Sequence, residues 1–186
     1  TYWLDDYSLY MAIKCKFNND EWSLWDDDIK YREEAALKKY KEELAEDIDF
    51  WKFCQFKFFE QWNELKEYAN EKGIQIIGDI PLYVSMDSSD VWVHGRLFEL
   101  DERKNPINVA GVPPDCFSEF GQRWGNPLYD WDAMEKEDFS WWRERMKANA
   151  NLYDVIRIDH FIGVVRYYRI PSDCPTAVDG AWKKGP

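Results

Sequence analysis

Two short apolar runs, each with an acidic residue at or just after its end, constrain the fold of this chain more than any other feature. Residues 74–80 read IQIIGDI and are closed by Pro81, and residues 153–158 read YDVIRI. Short runs that are rich in β-branched residues and almost continuously apolar are typical of buried parallel strands. Helical patterns lie before and between the two runs. The alternation of helix and strand therefore predicts an α/β fold built on a parallel sheet.

The first seventy residues predict helices. Asp6 is suited to cap a short helix through Ile13, and good helix formers with charge pairs at i,i+4 favour a helix from Asp28 to Ala45. A further helix is expected from Asp49 to Glu71. In the last of these, apolar side chains recur at three- and four-residue steps, which predicts a stripe that faces the core. The stripe comprises Phe50, Phe53, Cys54, the stem of Lys57, Phe58, Trp62, Leu65 and Ala69.

The stretch between the two apolar runs predicts a long functional loop followed by a helix. Residues 82–127 lack periodicity and are filled with Gly, Pro, Asp, Ser and aromatic residues. Connections of this length are uncommon in compact domains unless they carry function. A helix is then expected from Asp132 to Asn149, directly before the second strand.

The composition excludes several classes of partner. The chain has 186 residues, 45% hydrophobic and 32% charged, which indicates one globular unit with a sizeable core. A net charge of −12 would repel a nucleic-acid backbone or an anionic membrane surface. No apolar run approaches the ~20 residues that span a bilayer. A neutral partner therefore fits better than nucleic acid or a membrane.

Cysteine and histidine offer little material for a metal or a cofactor. The four cysteines show no C-x-x-C spacing, so reduced thiols in the cytoplasm are expected. The two histidines are His94 and His160, and no glycine-rich phosphate-binding motif occurs. We therefore expect neither a metal nor a cofactor. Trp, Tyr and Phe together make up 18% of the chain, and flat rings suit sugars as well as cores.

The charged residues at the strand ends are the candidate site. Side chains alternate along a strand, so Arg157 and Asp159 lie on one face, about 6.6 Å apart. A neighbouring guanidinium favours the ionised form of a carboxylate, which a covalent nucleophile or an electrostatic stabiliser requires. A structural ion pair uses the same spacing just as often. Asp79 ends the earlier strand in the same way, whereas His160 alone is more often structural.

Four longer segments are specific enough to compare with known families: GDIPLYVSMDSSDVW (78–92), NVAGVPPDCFSEFGQRWGNPLYDW (108–131), VIRIDHF (155–161) and GAWKKGP (180–186). Together they resemble the 4-α-glucanotransferases of glycoside hydrolase family 77, also called amylomaltases or disproportionating enzymes. The resemblance extends over nearly the whole chain, because segments near its start, WLDDYSLYMAIK and KFFEQWNELKEYA, also match.

This resemblance implies a fold, an activity and a set of roles. It implies part of a (β/α)₈ barrel with an added helical subdomain, in a cytoplasmic enzyme without metal or cofactor. Such enzymes move α-1,4-glucan segments between acceptors with retention, acting on maltooligosaccharides and on starch- or glycogen-derived glucans. The implied nucleophile is Asp159, held ionised by Arg157. The implied sugar-binding residues are His160, Asp79, Trp124 and Asn126, together with Phe117 at the tip of a mobile loop, 111–122.

The resemblance also implies that this chain is an internal fragment of one barrel domain. Residues 1–72 would form its mainly helical part, and residues 73–186 would supply two barrel strands and the long active-site loop. The acid/base glutamate and a third aspartate of the family lie downstream of a segment like GAWKKGP. We therefore expect the isolated chain to be inactive and, with an incomplete barrel, to self-associate.

Two other functions remain open from the sequence. One is an α-glucan hydrolase, which differs from a transferase in letting water into the site. The other is a non-catalytic glucan-binding module that uses aromatic side chains such as Phe117, Trp124 and Tyr129 as stacking surfaces.

Overall fold

The computed structural model describes residues 2–186, which divide into two compact units. The first unit comprises the chain up to Ile74 together with Asp87–Val93, and the second comprises Gln75–Met86 together with His94–Pro186. Helices dominate the first unit, and the second combines helices with two sheets. The chain is thus a mixed α/β structure, as the two apolar runs predicted.

The first unit is built from helices around a core of apolar and aromatic side chains. Ile13 and Ile29 are fully buried there, and Trp25 packs against the rings of Tyr10 and Trp92. In chain order the helices are α1 (Leu4–Lys16), a short 3₁₀ turn (Trp22–Leu24), α2 (Asp27–Lys30), α3 (Glu34–Glu43), α4 (Ala45–Glu71) and α5 (Ser89–Val93). In the described part of the chain, no helix is both long enough and apolar enough to cross a membrane.

The helix expected from Asp28 to Ala45 is interrupted. Arg32 has a φ of 60°, which an α-helix does not tolerate, and it separates α2 from α3. Its side chain stabilises the break, because one guanidinium nitrogen lies 2.9 Å from Asp6 Oδ1 and the group stacks 4.2 Å from the ring centre of Trp92. These partners are distant in sequence, so helix propensity alone does not reveal the break.

The predicted core-facing stripe on the long helix is wrong. Ile48 is the buried residue of α4, whereas Phe50 and Phe53 are 57% and 56% exposed. Phe58 and Leu65 are also at least half exposed, and Cys54, Trp62 and Ala69 are half-buried. The aromatic side chains that α4 itself carries are distributed over several of its sides. One side of α4 packs on α1, where Phe59 lies near Trp3 with 6.1 Å between the ring centres, and α3 also contacts this helix. The exposed aromatic side chains lie outside these contacts.

The second unit contains two sheets. The first is a parallel pair of β1 (Ile77–Ile80) and β4 (Val155–Ile158). The second is antiparallel, in the order β3-β2-β5-β6, and is formed by β2 (Asn108–Val112), β3 (Gln122–Pro127), β5 (Arg166–Pro171) and β6 (Ala181–Lys184). The helices of this unit are α6 (Trp131–Lys136), α7 (Ser140–Leu152) and α8 (Ile162–Val165), with a 3₁₀ turn at Gly95–Leu97. Val109, Tyr168, Ile170 and Ala177 form a buried cluster on the antiparallel sheet.

The structure corrects three sequence-based expectations in this unit. Residues 82–127 are not one irregular loop, because they contain α5, β2 and β3. The helix expected from Asp132 to Asn149 is broken between α6 and α7, where Asp138 and Phe139 have φ values of 53° and 49°. Both predicted strands are shorter than expected and neither is buried on both faces, since Ile77 is 65% and Val155 43% exposed.

Gly111 explains why β2 was not recognised and provides a test of the antiparallel sheet. Glycine is depleted in strands, but here a Cβ would collide with the backbone oxygen of Gln122 and with the side chain of Ile170.

We expect Gly111→Ala to lower the free energy of unfolding by about 2 kcal/mol through overpacking. Gly95→Ala is the control, because its added Cβ would lie 3.6 Å from Leu100, an ordinary contact. Urea unfolding followed by tryptophan fluorescence measures both, and equal midpoints would contradict this account.

Candidate active site

The two parallel strands carry their acidic residues to one edge. In the β1–β4 register Asp79 lies beside Arg157, and the amide of Asp159 donates to the carbonyl of Ile80 at 2.9 Å, which extends the pairing past the end of β4. The side chains of Asp79, Arg157 and Asp159 are 57–59% exposed. Side chains therefore alternate along these strands as the sequence analysis assumed. This alternation places the three charged side chains on one accessible face.

Arg157 bridges the two carboxylates. Its Nη1 donates to Asp79 Oδ2, and its Nη2 donates to Asp159 Oδ1 at 2.6 Å. The hydrogen bond to Asp79, followed by the charges of both aspartates, raises the pKa of the guanidinium above its usual range. In residues 2–186 the second carboxylate oxygen of Asp159 has no hydrogen-bond partner. One oxygen is thus fixed while the other is open to a reacting group.

His160 lies beside this group in a left-handed backbone conformation. Its φ is 53°, and its ring meets Trp124 edge to face with 4.8 Å between the ring centres. The ring of Tyr83 lies 6.4 Å away, also between centres. Within the described residues, the Nε2 of His160 is buried and has no hydrogen-bond partner. Burial lowers the pKa of the imidazole, although the charge of Asp159 opposes this, so the ring is neutral at neutral pH. A neutral imidazole carries one donor and one acceptor nitrogen.

The sequence analysis missed two supporting residues, Arg145 and Tyr83. Arg145, in α7, donates to the carbonyls of Pro81 and Leu82 at 2.6 and 3.1 Å, and Tyr129 donates to Leu82 at 2.7 Å. These bonds fix the turn after β1, and Tyr83 in that turn stacks on Tyr129. The position of Tyr83, four residues after Asp79 and beyond a strand end, was a usable signal. Arg145 offered none, because its partners are backbone atoms far away in sequence.

The remaining predicted site residues, Trp124, Asn126 and Phe117, lie in three different environments. Trp124, in β3, is 38% exposed and contacts His160. Asn126 donates its amide to the carbonyl of Val84 at 2.8 Å and so also holds the turn after β1. Phe117 is 94% exposed and contacts no other ring in the described structure. The structure therefore brings Asp79, Arg157, Asp159, His160 and Trp124 together and leaves Phe117 in solvent. Residues 2–186 contain no group of three or more His, Cys, Asp or Glu side chains that is placed to hold a metal ion.

The surroundings of His160 predict how its pKa responds to substitution. An NMR titration should place the pKa below the ordinary value of 6.5, because burial disfavours the imidazolium. Asp159→Asn removes an attractive charge and should lower this pKa further, whereas Trp124→Ala exposes the ring and should raise it. The folded state should also lose stability as the pH falls from 6.5 toward the lowered pKa, because the unfolded chain binds the proton first. A rise in the pKa of His160 in Asp159→Asn would contradict the account.

Comparison with known proteins finds a consistent set of relatives. The chain is 54% identical over 185 residues to a 4-alpha-glucanotransferase of Clostridium butyricum and 50% identical to that of Thermus thermophilus. These matches cover 99% and 100% of this chain but 38% and 37% of the relatives. The chain thus spans well under half the length of these curated relatives.

A solved structure matches equally well. The amylomaltase from Streptococcus agalactiae in complex with acarbose superimposes with a TM-score of 0.96 at 49% identity, covering 100% of this chain and 38% of that one. The sequence profile of glycoside hydrolase family 77, described as 4-alpha-glucanotransferase, matches residues 1–186. The chain therefore belongs to glycoside hydrolase family 77, the 4-alpha-glucanotransferase family.

Proposed function

We propose that the protein containing this chain transfers α-1,4-glucan segments between glucan acceptors, with Asp159 as the nucleophile. The observation that carries the proposal is the bridge from Arg157 to Asp79 and Asp159 at the carboxyl ends of two parallel strands. In barrel enzymes the catalytic residues come from this end of the strands. The family membership and the acarbose bound by the Streptococcus agalactiae relative support α-glucans as substrates, including maltooligosaccharides and starch- or glycogen-derived chains.

The proposed reaction is a double displacement that Asp159 begins. Its open carboxylate oxygen attacks the anomeric carbon while the glycosidic C–O bond breaks, and a general acid protonates the departing oxygen. The 4-hydroxyl of an acceptor glucan then attacks the glycosyl-enzyme, gives its proton to the same group and releases the aspartate. Retention of configuration follows from the two inversions. Arg157 keeps Asp159 oriented, and His160 binds a hydroxyl of the sugar that is transferred.

The general acid is proposed to lie outside residues 1–186. Retaining enzymes place their two carboxyl groups ~5–5.5 Å apart, with one of them protonated when the leaving group departs. Asp79 is a poor candidate because it already accepts a hydrogen bond from Arg157. We therefore propose that residues 1–186 form part of a single (β/α)₈ barrel domain and are inactive alone. The four unpaired cysteines fit a cytoplasmic location.

Substitution of the nucleophile tests this proposal. Residues 1–186 would replace the matched segment of the Clostridium butyricum 4-alpha-glucanotransferase, and the chimera would be incubated with maltotriose. We expect Asp159→Asn to lower the rate by about 10³-fold or more, because the glycosyl-enzyme cannot form, with glucan affinity retained. The matched control is Asp173→Asn, an exposed aspartate in the turn after β5 that has no contact with Arg157.

The products separate the other functions. Longer maltooligosaccharides support transfer, whereas glucose and maltose alone would indicate a hydrolase. An Asp159→Asn chimera with an unchanged rate would show that this residue is not the nucleophile. A glucan-binding module would bind maltooligosaccharides without any Asp159-dependent turnover. Isolated residues 1–186 should form no products.

We further propose that the isolated chain self-associates through the exposed aromatic side chains of α4. Phe50 and Phe53 lie on that surface. Phe50→Gln with Phe53→Gln should shift sedimentation velocity toward a 22.4 kDa monomer without loss of helix content, because neither ring is buried. Glu64→Gln with Glu67→Gln, on exposed positions of the same helix, should leave the sedimentation coefficient unchanged. A monomeric wild-type chain would overturn this part of the proposal.

A further inference from the structure

The loop that carries Phe117 is fixed internally near its tip. Oδ1 of Asp115 accepts hydrogen bonds from the amides of Phe117 and Ser118, each at 2.8 Å. The amide of Asp115 donates in return to the carbonyl of Ser118 at 3.0 Å. An aspartate that accepts from the backbone two and three residues ahead forms an Asx turn, which sets the backbone without help from outside the loop.

The base of the same loop is anchored separately. Ser118 Oγ donates to the carbonyl of Gly121 at 2.8 Å, and the amide of Ala177 donates to the carbonyl of Phe120 at 3.0 Å. Gly121 has a φ of 66°, and a Cβ there would lie 2.5 Å from the carbonyl oxygen of Val112. The loop base therefore needs glycine at this position, and the hydrogen bonds at its tip depend on Asp115.

Phe117 has no packing role in the folded chain. Its side chain is 94% exposed, and a phenyl ring held in water gains nothing from folding. Asp115 is exposed as well, so its two hydrogen bonds to the backbone do not complete a core. Both residues can thus be replaced with little expected change in the rest of the structure, which makes their effect on function interpretable.

We infer that Asp115 is a positioning residue, whose carboxylate oxygen holds the backbone turn that presents the ring of Phe117. This inference rests on the proposed function and on the contact between Phe117 and glucan that the family resemblance implies. The role requires an acceptor oxygen and not a charge. Asparagine keeps an acceptor in the same place and forms the same turn, whereas alanine does not. Asp115→Asn is therefore the conservative variant that should restore the function that Asp115→Ala loses.

The first measurement addresses the turn itself, independently of catalysis. Amide hydrogen exchange of residues 1–186 should show that Phe117 and Ser118 exchange about tenfold faster in Asp115→Ala, because both amides lose their acceptor. Asp115→Asn should leave both rates near those of the wild type. Unchanged exchange in Asp115→Ala would overturn the inference at this point.

The second measurement tests whether Asp115 affects catalysis by positioning Phe117. In the Clostridium butyricum chimera, Phe117→Ala and Asp115→Ala should each lower kcat/KM for maltotriose disproportionation by about tenfold. The reason is that a ring that is absent or displaced no longer holds the glucan in the productive geometry. Asp115→Asn should retain wild-type kcat/KM. The double variant should be no worse than Phe117→Ala alone, because Asp115 acts through that ring.

The outcomes separate the inference from the proposed function. If Phe117→Ala lowers kcat/KM and Asp115→Ala does not, the positioning role is wrong and the proposed function stands. A double variant much worse than Phe117→Ala would also overturn the role, because Asp115 would then act on its own. If Phe117→Ala has no effect, Phe117 does not contact glucan, and the inference fails while the proposed role of Asp159 stands.

Discussion

The contact between one guanidinium and two carboxylates is the interaction on which the candidate site depends. Parallel pairing of β1 and β4 sets Asp79 beside Arg157, and the alternation of β4 sets Asp159 on the same face. Two aspartates at one strand edge repel each other unless a cation lies between them. The planar fork of arginine can donate to both at once, which the single ammonium of lysine does with less geometric control. The two hydrogen bonds of one guanidinium thus join the strands and orient Asp159.

The aromatic side of the site depends on backbone rather than side-chain partners. Arg145, Tyr129 and Asn126 come from a helix, a loop and a strand, and all three donate to carbonyls in the turn that follows β1. Carbonyls at the end of a strand have no ladder partner, so such donors satisfy them and fix the turn at the same time. Tyr83 is held in this turn, and its ring together with Trp124 encloses the imidazole of His160.

The sequence predicted those features that depend on local patterns. Both parallel strands were recognised because their residues are β-branched and nearly continuous, and the period of two correctly placed Arg157 and Asp159 on one face. Sequence-based prediction of secondary structure failed where long-range contacts outweigh local propensity. The helix break at Arg32 is stabilised by contacts of its guanidinium with Asp6 and Trp92. Gly111 lies within a strand because the backbone of Gln122 approaches it closely.

The exposed rings of α4 show a different limit of sequence patterns. Phe50 and Phe53 belong to the pattern of a buried helix, yet more than half of each side chain is accessible here. Periodicity records that a side chain is suited to burial, but it does not identify the element that covers it, because covering elements can lie anywhere in the polypeptide. The same reasoning applies to the outer face of β1 and β4, where Ile77 and Val155 are exposed beside the charged residues. Each strand of this parallel pair has one neighbour in the described chain, so the other edge of each strand is unpaired there. The accessibility of Asp159 in residues 2–186 is therefore an upper bound for a longer polypeptide, whereas its bond to Arg157 is local to the strand and does not depend on what covers it.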